Sequence, residues 1–277
     1  MFPLLPSRAK AATFAVLVLA LCSALSFVMR STGQAAAVVA MLTPLVAVVL
    51  MQTVVTRDGW TRDGWRGLGV GRAGLAVWPI AIGAPIAILL GAEGVVQIAG
   101  LTGHDASALP GIPDLVIGSV VTALFCFAEE IGWRGYLLPL VQRDGRRFAA
   151  ARVGFLHGLW HLPIVFIVAG SYLTDGSRWL TVPLFLAVLT TAGVFYGWMR
   201  DRTGSVWPSV VSHTAFNMTV GLLVDALPAH DADRVVLVGR ETGVATLGLL
   251  VLTAVFITAR RTPALPSAEP APVLAGR

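Results

Sequence analysis

Apolar residues fill the chain in eight long blocks, at 11–29, 36–55, 74–92, 114–141, 153–170, 180–199, 205–224 and 242–259, with short polar segments between them. Blocks of this kind approach the roughly 20 residues a helix needs to cross hydrocarbon. The pattern predicts an all-α, polytopic integral membrane protein with about eight transmembrane helices. Residues 1–261 are expected to form one membrane domain. The Pro- and Ala-rich tail at 262–277 has no apolar periodicity and is expected to be disordered. The first block follows Arg8 and Lys10 and could be a signal peptide, but its apolar core of about 18 residues and the close second block favour a retained helix.

Composition sharpens this. Of 277 residues, 56% are hydrophobic and only 13% charged, with mean hydropathy +0.79, whereas soluble domains carry roughly a quarter charged residues. A soluble domain is excluded. The net charge of +5 does not indicate nucleic acid, because the basic residues form no continuous stripe. They instead set topology. With a cytoplasmic N-terminus, the inner segments gather Arg8 and Lys10, then Arg57, Arg62, Arg66 and Arg72, then Arg143, Arg146, Arg147 and Arg152, then Arg200 and Arg202, then Arg260, Arg261 and Arg277. The outer loops hold only Arg30, Arg178, Arg234 and Arg240. The positive-inside rule therefore predicts both termini in the cytoplasm of a multi-pass cell-membrane protein. Trp60, Trp65, Trp78, Trp179, Trp198 and Trp207 fall near span boundaries, as interfacial tryptophans do. The repeat at Thr56–Trp65 (TRDGW, TRDGW) reads as a local duplication, and Cys22 and Cys126 as apolar packing.

Few strongly polar side chains remain at depth: Glu129, Glu130 and Arg134 in the fourth block, His157 and His161 in the fifth, and His213 and Asn217 in the seventh. The other five spans are read as carrying no comparable group. A charge at depth costs about 2.5 to 3.5 kcal/mol even on insertion scales, so such groups face the bundle interior and generally serve function. Glu130 and Arg134, His157 and His161, and His213 and Asn217 are each four apart, which stacks each pair on one helix face. Glu130 and Arg134 have the favoured order for an intrahelical ion pair. Rise per residue brings Glu129, His161 and His213 to similar depth, and the site is expected to open toward the cytoplasmic half. Trp133 and Trp160 flank it as walls. A carboxylate beside an imidazole can deprotonate a water, while a second imidazole and an amide can stabilise an oxyanion. A transporter or a non-catalytic binding or immunity protein would also place Glu, Arg and His at depth.

The run Phe127–Tyr136 (FAEEIGWRGY), followed by His157–Pro163 (HGLWHLP) and Trp207–Asn217 (WPSVVSHTAFN), resembles the three motifs of the CPBP family. These are the CAAX protease and bacteriocin-processing (Abi) intramembrane endopeptidases, which include the type II Ras-converting CAAX proteases. The motifs are Glu-Glu-x-x-x-Arg, Phe-x-x-x-His and His-x-x-x-Asn, and the resemblance covers about residues 125–217. It implies a protease acting on a peptide or membrane-protein substrate approaching from the cytoplasmic side. Glu129 and His161 would activate water, His213 and Asn217 would hold the oxyanion, and Glu130 and Arg134 would support them. The family is described as metalloproteases, although a glutamate-activated water needs no metal. One departure stands out: His157 occupies the phenylalanine position of the second motif. His157 and His161 then have the spacing of metal ligands on one helix face, and with His213 and Glu129 could hold zinc. The alternative is an interior hydrogen bond from His157.

Overall fold

In the computed structural model, residues 5–103, 105, 107, 109–168, 177–227 and 232–259 are described. They are helical, with no strand among them. The tail at 262–277 lies outside the described residues. The order is α1 (Ser7–Val28), α2 (Gln34–Ala40), α3 (Thr43–Leu50) running into a π-helical turn at Met51–Val55, α4 (Arg62–Arg66) and α5 (Trp78–Ile98). Next come α6 (Ile112–Glu130), a π-helix at Ile131–Leu137, α7 (Leu138–Arg143), α8 (Ala149–Ile167), α9 (Arg178–Thr203), α10 (Trp207–Ala226), α11 (Ala232–Val238) and α12 (Val244–Ala259).

Among the described residues, six segments are long and apolar enough to cross a membrane: Ser7–Val28, Ala35–Val55, Leu75–Ile98, Ile112–Arg143, Ala149–Ile167 and Arg178–Thr203. The remaining two apolar blocks fall short for different reasons. The α10 helix has 20 residues but spends them on Ser209, Ser212, His213, Thr214, Asn217 and Thr219. The α12 helix has 16 residues, which at 1.5 Å each reach about 24 Å of a 30 Å hydrocarbon core. Phe27, Ile98, Ile117, Trp179 and Phe256 lie exposed on the outside of the bundle. An apolar exterior of this kind suits hydrocarbon as solvent.

The tightest helix pairing is between α8 and α9, and two Gly-x-x-x-Gly patterns explain it: Gly154 and Gly158 on α8, Gly193 and Gly197 on α9. A Cβ on Gly193 would stand 2.6 Å from Gly154 Cα, and one on Gly154 would stand 2.4 Å from Leu189 O. Only glycine admits that approach, and small-residue faces are how helices associate where lipid supplies no hydrophobic drive. The pairing fixes the helix that carries both His157 and His161.

The fourth apolar block is not one regular helix. Its middle, Ile131–Leu137, is π-helical, an interruption that recurs at functional sites. Gly132 lets it lie against α3, since a Cβ there would meet Pro44 Cβ at 2.7 Å. At the end of the bundle carrying Arg143–Arg152, the TRDGW repeat packs as a staple. Trp60 Nε1 donates to Thr53 O (2.9 Å), Trp65 Nε1 to Gly59 O (2.7 Å), and Lys10 Nζ to Asp58 Oδ2 (2.6 Å).

Candidate active site

Glu129 and Glu130 are the last residues of α6, just before the π-helix, and both are fully buried. They serve different partners. Glu130 Oε1 accepts from Arg134 Nη1 at 2.8 Å, the ion pair its spacing predicts, and from His213 Nδ1 at 3.1 Å. The Arg134 guanidinium also lies 4.7 Å from the centre of the Tyr196 ring. Glu130 thus neutralises Arg134 and ties α10 to α6.

Glu129 Oε2 lies 2.8 Å from His157 Nε2, and His157 Nδ1 lies 3.2 Å from Arg134 Nη1. Arginine has no acceptor, so Nδ1 must accept from the guanidinium. Nε2 therefore carries the proton and donates it to Glu129. Trp133 stacks on the ring at 5.0 Å and 26°, and His161 stacks on it at 5.2 Å and 27°. Trp160, whose Nε1 donates to Thr43 Oγ1, packs edge-on against Trp133 and His161. The other oxygen, Glu129 Oε1, is buried without a hydrogen-bond partner.

The ligand-type atoms of Glu129, His157 and His161 lie within 4.8 Å of one another. Two hydrogen bonds meeting at a tetrahedral water span about 4.6 Å, so a group of this size can hold one water. A zinc ion using His157 does not fit this donor set. Metallating Nε2 would turn Nδ1–H toward the Arg134 guanidinium, setting donor against donor.

Asn217 Nδ2 lies 3.7 Å from Cys126 Sγ. The thiol is fully buried and is not among the residues lining the cavity, so it packs behind the site. Both His213 and Asn217 do line it.

The cavity has a volume of about 360 Å³. Glu129, His157, His161, His213 and Asn217 lie at one end. From there the wall is mostly apolar, with Ile164, Phe185, Val188, Phe216 and Val220, as far as Glu241 in the turn before α12. This corrects the expected direction of opening. Ile164, Phe185, Val220 and Glu241 lie toward the ends of the helices away from the Arg143–Arg152 loop, so the cavity extends to the face opposite the basic one. Residue depth along each helix was legible in the sequence, but which side of the polar cluster is filled was not. The basic side is closed by Arg200, which is 9% exposed. Its Nε donates to Arg134 O at 3.1 Å, its Nη2 to Gly67 O at 2.8 Å, and its Nη1 to Gly204 O.

Two further groups escaped the sequence. Glu93 of α5 is a buried acid, 2% exposed, with its Oε2 3.6 Å from Arg240 Nε, so deep acids are not confined to the fourth block. Its position just past the end of an apolar block hid it. Glu241 carried no signal beyond its charge. Burial pushes its carboxyl above the usual range.

Residues 111–219 match the family model described as Type II CAAX prenyl endopeptidase Rce1-like. That span contains all three polar pairs. No curated protein matches the chain.

Proposed function

Starting from a chain whose residues 111–219 match the Rce1-like family model, we propose an intramembrane endopeptidase that works through a carboxylate-activated water. The observation that carries this reading is the division of labour at Glu129. One oxygen is held by His157, while the other is buried without a hydrogen-bond partner, on a carboxylate that groups with His161.

In this mechanism Glu129 Oε1 and His161 hold the water. As its oxygen forms a bond to the scissile carbonyl carbon, its proton passes to Glu129. The negative charge develops on the carbonyl oxygen. There the second N–H of Asn217 and, when the ring is doubly protonated, Nε2–H of His213 donate to it. Glu130 accepts from His213 Nδ1 and so holds that ring in register. Collapse of the tetrahedral intermediate breaks the C–N bond, and the proton on Glu129 goes to the departing amine. His157 touches Glu129 rather than the reacting atoms and is a positioning residue. No step requires a metal ion.

The eight-span topology with both termini in the cytoplasm belongs to the same proposal. It counts α10 and α12 as spans that the surrounding helices accommodate despite polarity and short length. The Arg-rich loops place Arg143–Arg152 in the cytoplasm. The cavity's reach toward the opposite face then implies a substrate that arrives through the membrane or from that face.

The test is cleavage of a hydrophobic peptide library by protein purified in detergent or nanodiscs. Wild type is expected to cleave, and Glu129→Ala and His161→Ala are expected not to. Equal cleavage by wild type and Glu129→Ala would overturn the mechanism.

A further inference from the structure

Glu241 is the feature of the cavity that hydrolysis does not use. Apart from Glu129 it is the only carboxylate among the described residues lining the wall. It sits at the far end of an apolar stretch. The turn that carries it is anchored: Arg240, in left-handed backbone conformation at φ 53°, donates from Nη2 to Leu227 O at 2.6 Å and faces Glu93 at 3.6 Å. Thr246 Oγ1 donates to Arg240 O, and Thr242 Oγ1 donates to Val236 O at 2.9 Å. Gly239 presses on α5, where a Cβ would stand 2.4 Å from Val96 Cγ2.

These ties send the neighbouring guanidinium toward Glu93 and leave Glu241 on the cavity wall. The Arg240 guanidinium is bonded to a carbonyl and faces Glu93, and from there it also eases the charge on Glu241, though by less than burial opposes it. A carboxylate in apolar surroundings is costly unless a cation meets it. Burial already holds this carboxyl above its ordinary range, which is the state a cationic ligand would reverse.

We propose that Glu241 is a cation-recognition subsite, which selects apolar peptide substrates carrying an ammonium or guanidinium group about three or four residues from the scissile bond. The spacing follows from α10, whose His213 and Gly221 both line the cavity. Eight positions apart, they are separated by about 12 Å of rise, the length of cavity this helix lines, and an extended peptide covers about 3.3 Å per residue. The cation is either a free α-ammonium or the side chain of Lys or Arg. A substrate presenting a terminal carboxylate at this end is repelled. The inference rests on the endopeptidase reading for its register, while the charge preference is a property of binding alone.

The experiment uses the full chain in nanodiscs and one apolar peptide in four forms: free N-terminus, N-acetylated, N-acetylated with an internal Lys, and N-acetylated with Glu in place of that Lys. Cleavage is measured for wild type, Glu241→Gln and Glu241→Lys, and peptide binding in the Glu129→Ala background with and without Glu241→Gln. The expected result is that Glu241→Gln lowers the cationic-to-acetylated ratio of kcat/KM about tenfold, in line with the worth of a hydrogen bond to a charged group, chiefly through KM. Glu241→Lys is expected to shift preference to the Glu peptide. The first and third peptides distinguish an α-ammonium from a side-chain cation. Cleavage whose charge ratio is unmoved by Glu241→Gln overturns the subsite and leaves the endopeptidase standing. Charge-selective, Glu241-dependent binding with no cleavage of any peptide by wild type overturns the endopeptidase and supports the subsite. Binding with no charge preference overturns the subsite whatever the cleavage result.

Discussion

His157 Nε2 lies 2.8 Å from Glu129 Oε2, and both side chains are fully buried. The bond joins α8 to the last turn of α6. It exists because a histidine stands where the resembling family carries phenylalanine. With Nδ1 held by Arg134, the imidazole is locked at both nitrogens and aims the carboxylate's other oxygen toward the cavity.

The first prediction follows from that lock. His157→Phe removes the donor to Glu129 and the acceptor for Arg134 while keeping an aromatic ring against Trp133. We expect kcat to fall by about tenfold to a hundredfold, the range typical of lost orienting contacts, with KM little changed. His157→Gln, which can still donate, is expected to recover part of it. A KM effect with unchanged kcat would assign His157 to substrate binding instead.

The second prediction concerns metal. Because His157 is held as a donor to Glu129, a chelated preparation shown by elemental analysis to lack zinc is expected to keep its peptide cleavage. Loss of activity on chelation, restored by stoichiometric zinc, would overturn the metal-free activation of water.

Much of this arrangement was legible in the sequence, because a membrane chain exposes its polar exceptions. Glu129, Glu130, Arg134, His157, His161, His213 and Asn217 stood out against apolar blocks, and their four-residue spacing placed each pair on one face. Pairings between helices were not legible. Spacing could not say that His157 rather than His161 holds Glu129, or that Glu130 bridges Arg134 and His213, since both depend on how α6, α8 and α10 rotate against one another. The π-helix at Ile131–Leu137 leaves no mark on the spacing of polar residues through Gly132 and Gly135. Arg200 reads in the sequence as a loop charge that sets topology, yet it is a buried brace on the Arg134 carbonyl. Glu241 and the direction of the cavity depend on where three helices leave space, which no periodicity encodes.

The third prediction separates the ion pair from the rest of the site. Glu130 and Arg134 are 0% and 1% exposed at their side chains, so removing one partner strands a charge. Arg134→Met is expected to destabilise the protein by about 3 to 5 kcal/mol, the cost of breaking a buried pair. The double variant Glu130→Gln, Arg134→Met strands no charge and should recover much of the stability, as read by thermal unfolding in detergent. It should not recover cleavage, because His213 has lost the carboxylate that orients it. Recovery of both would show that Glu130 and Arg134 serve packing alone.

The last prediction tests whether the glycine faces hold the site together. Gly193 and Gly154 meet where no Cβ fits, and the close approach of α8 to α9 is what puts His161 edge-on against Phe185. Gly193→Leu must push the helices apart, because the atoms it meets are the Gly154 Cα and the Ala150 carbonyl oxygen, which are backbone and cannot rotate away. Gly221 supplies the control: it lies on α10, and a Cβ there meets nothing within 4 Å, so Gly221→Ala is expected to leave unfolding temperature within a few degrees of wild type. Gly193→Ala is expected to lower it measurably, and Gly193→Leu more steeply. Cleavage should fall in the same order, since moving α8 outward lengthens the hydrogen bond from His157 to Glu129. If Gly193→Leu unfolds like wild type and cleaves like wild type, the α8–α9 contact does not set the position of the histidines.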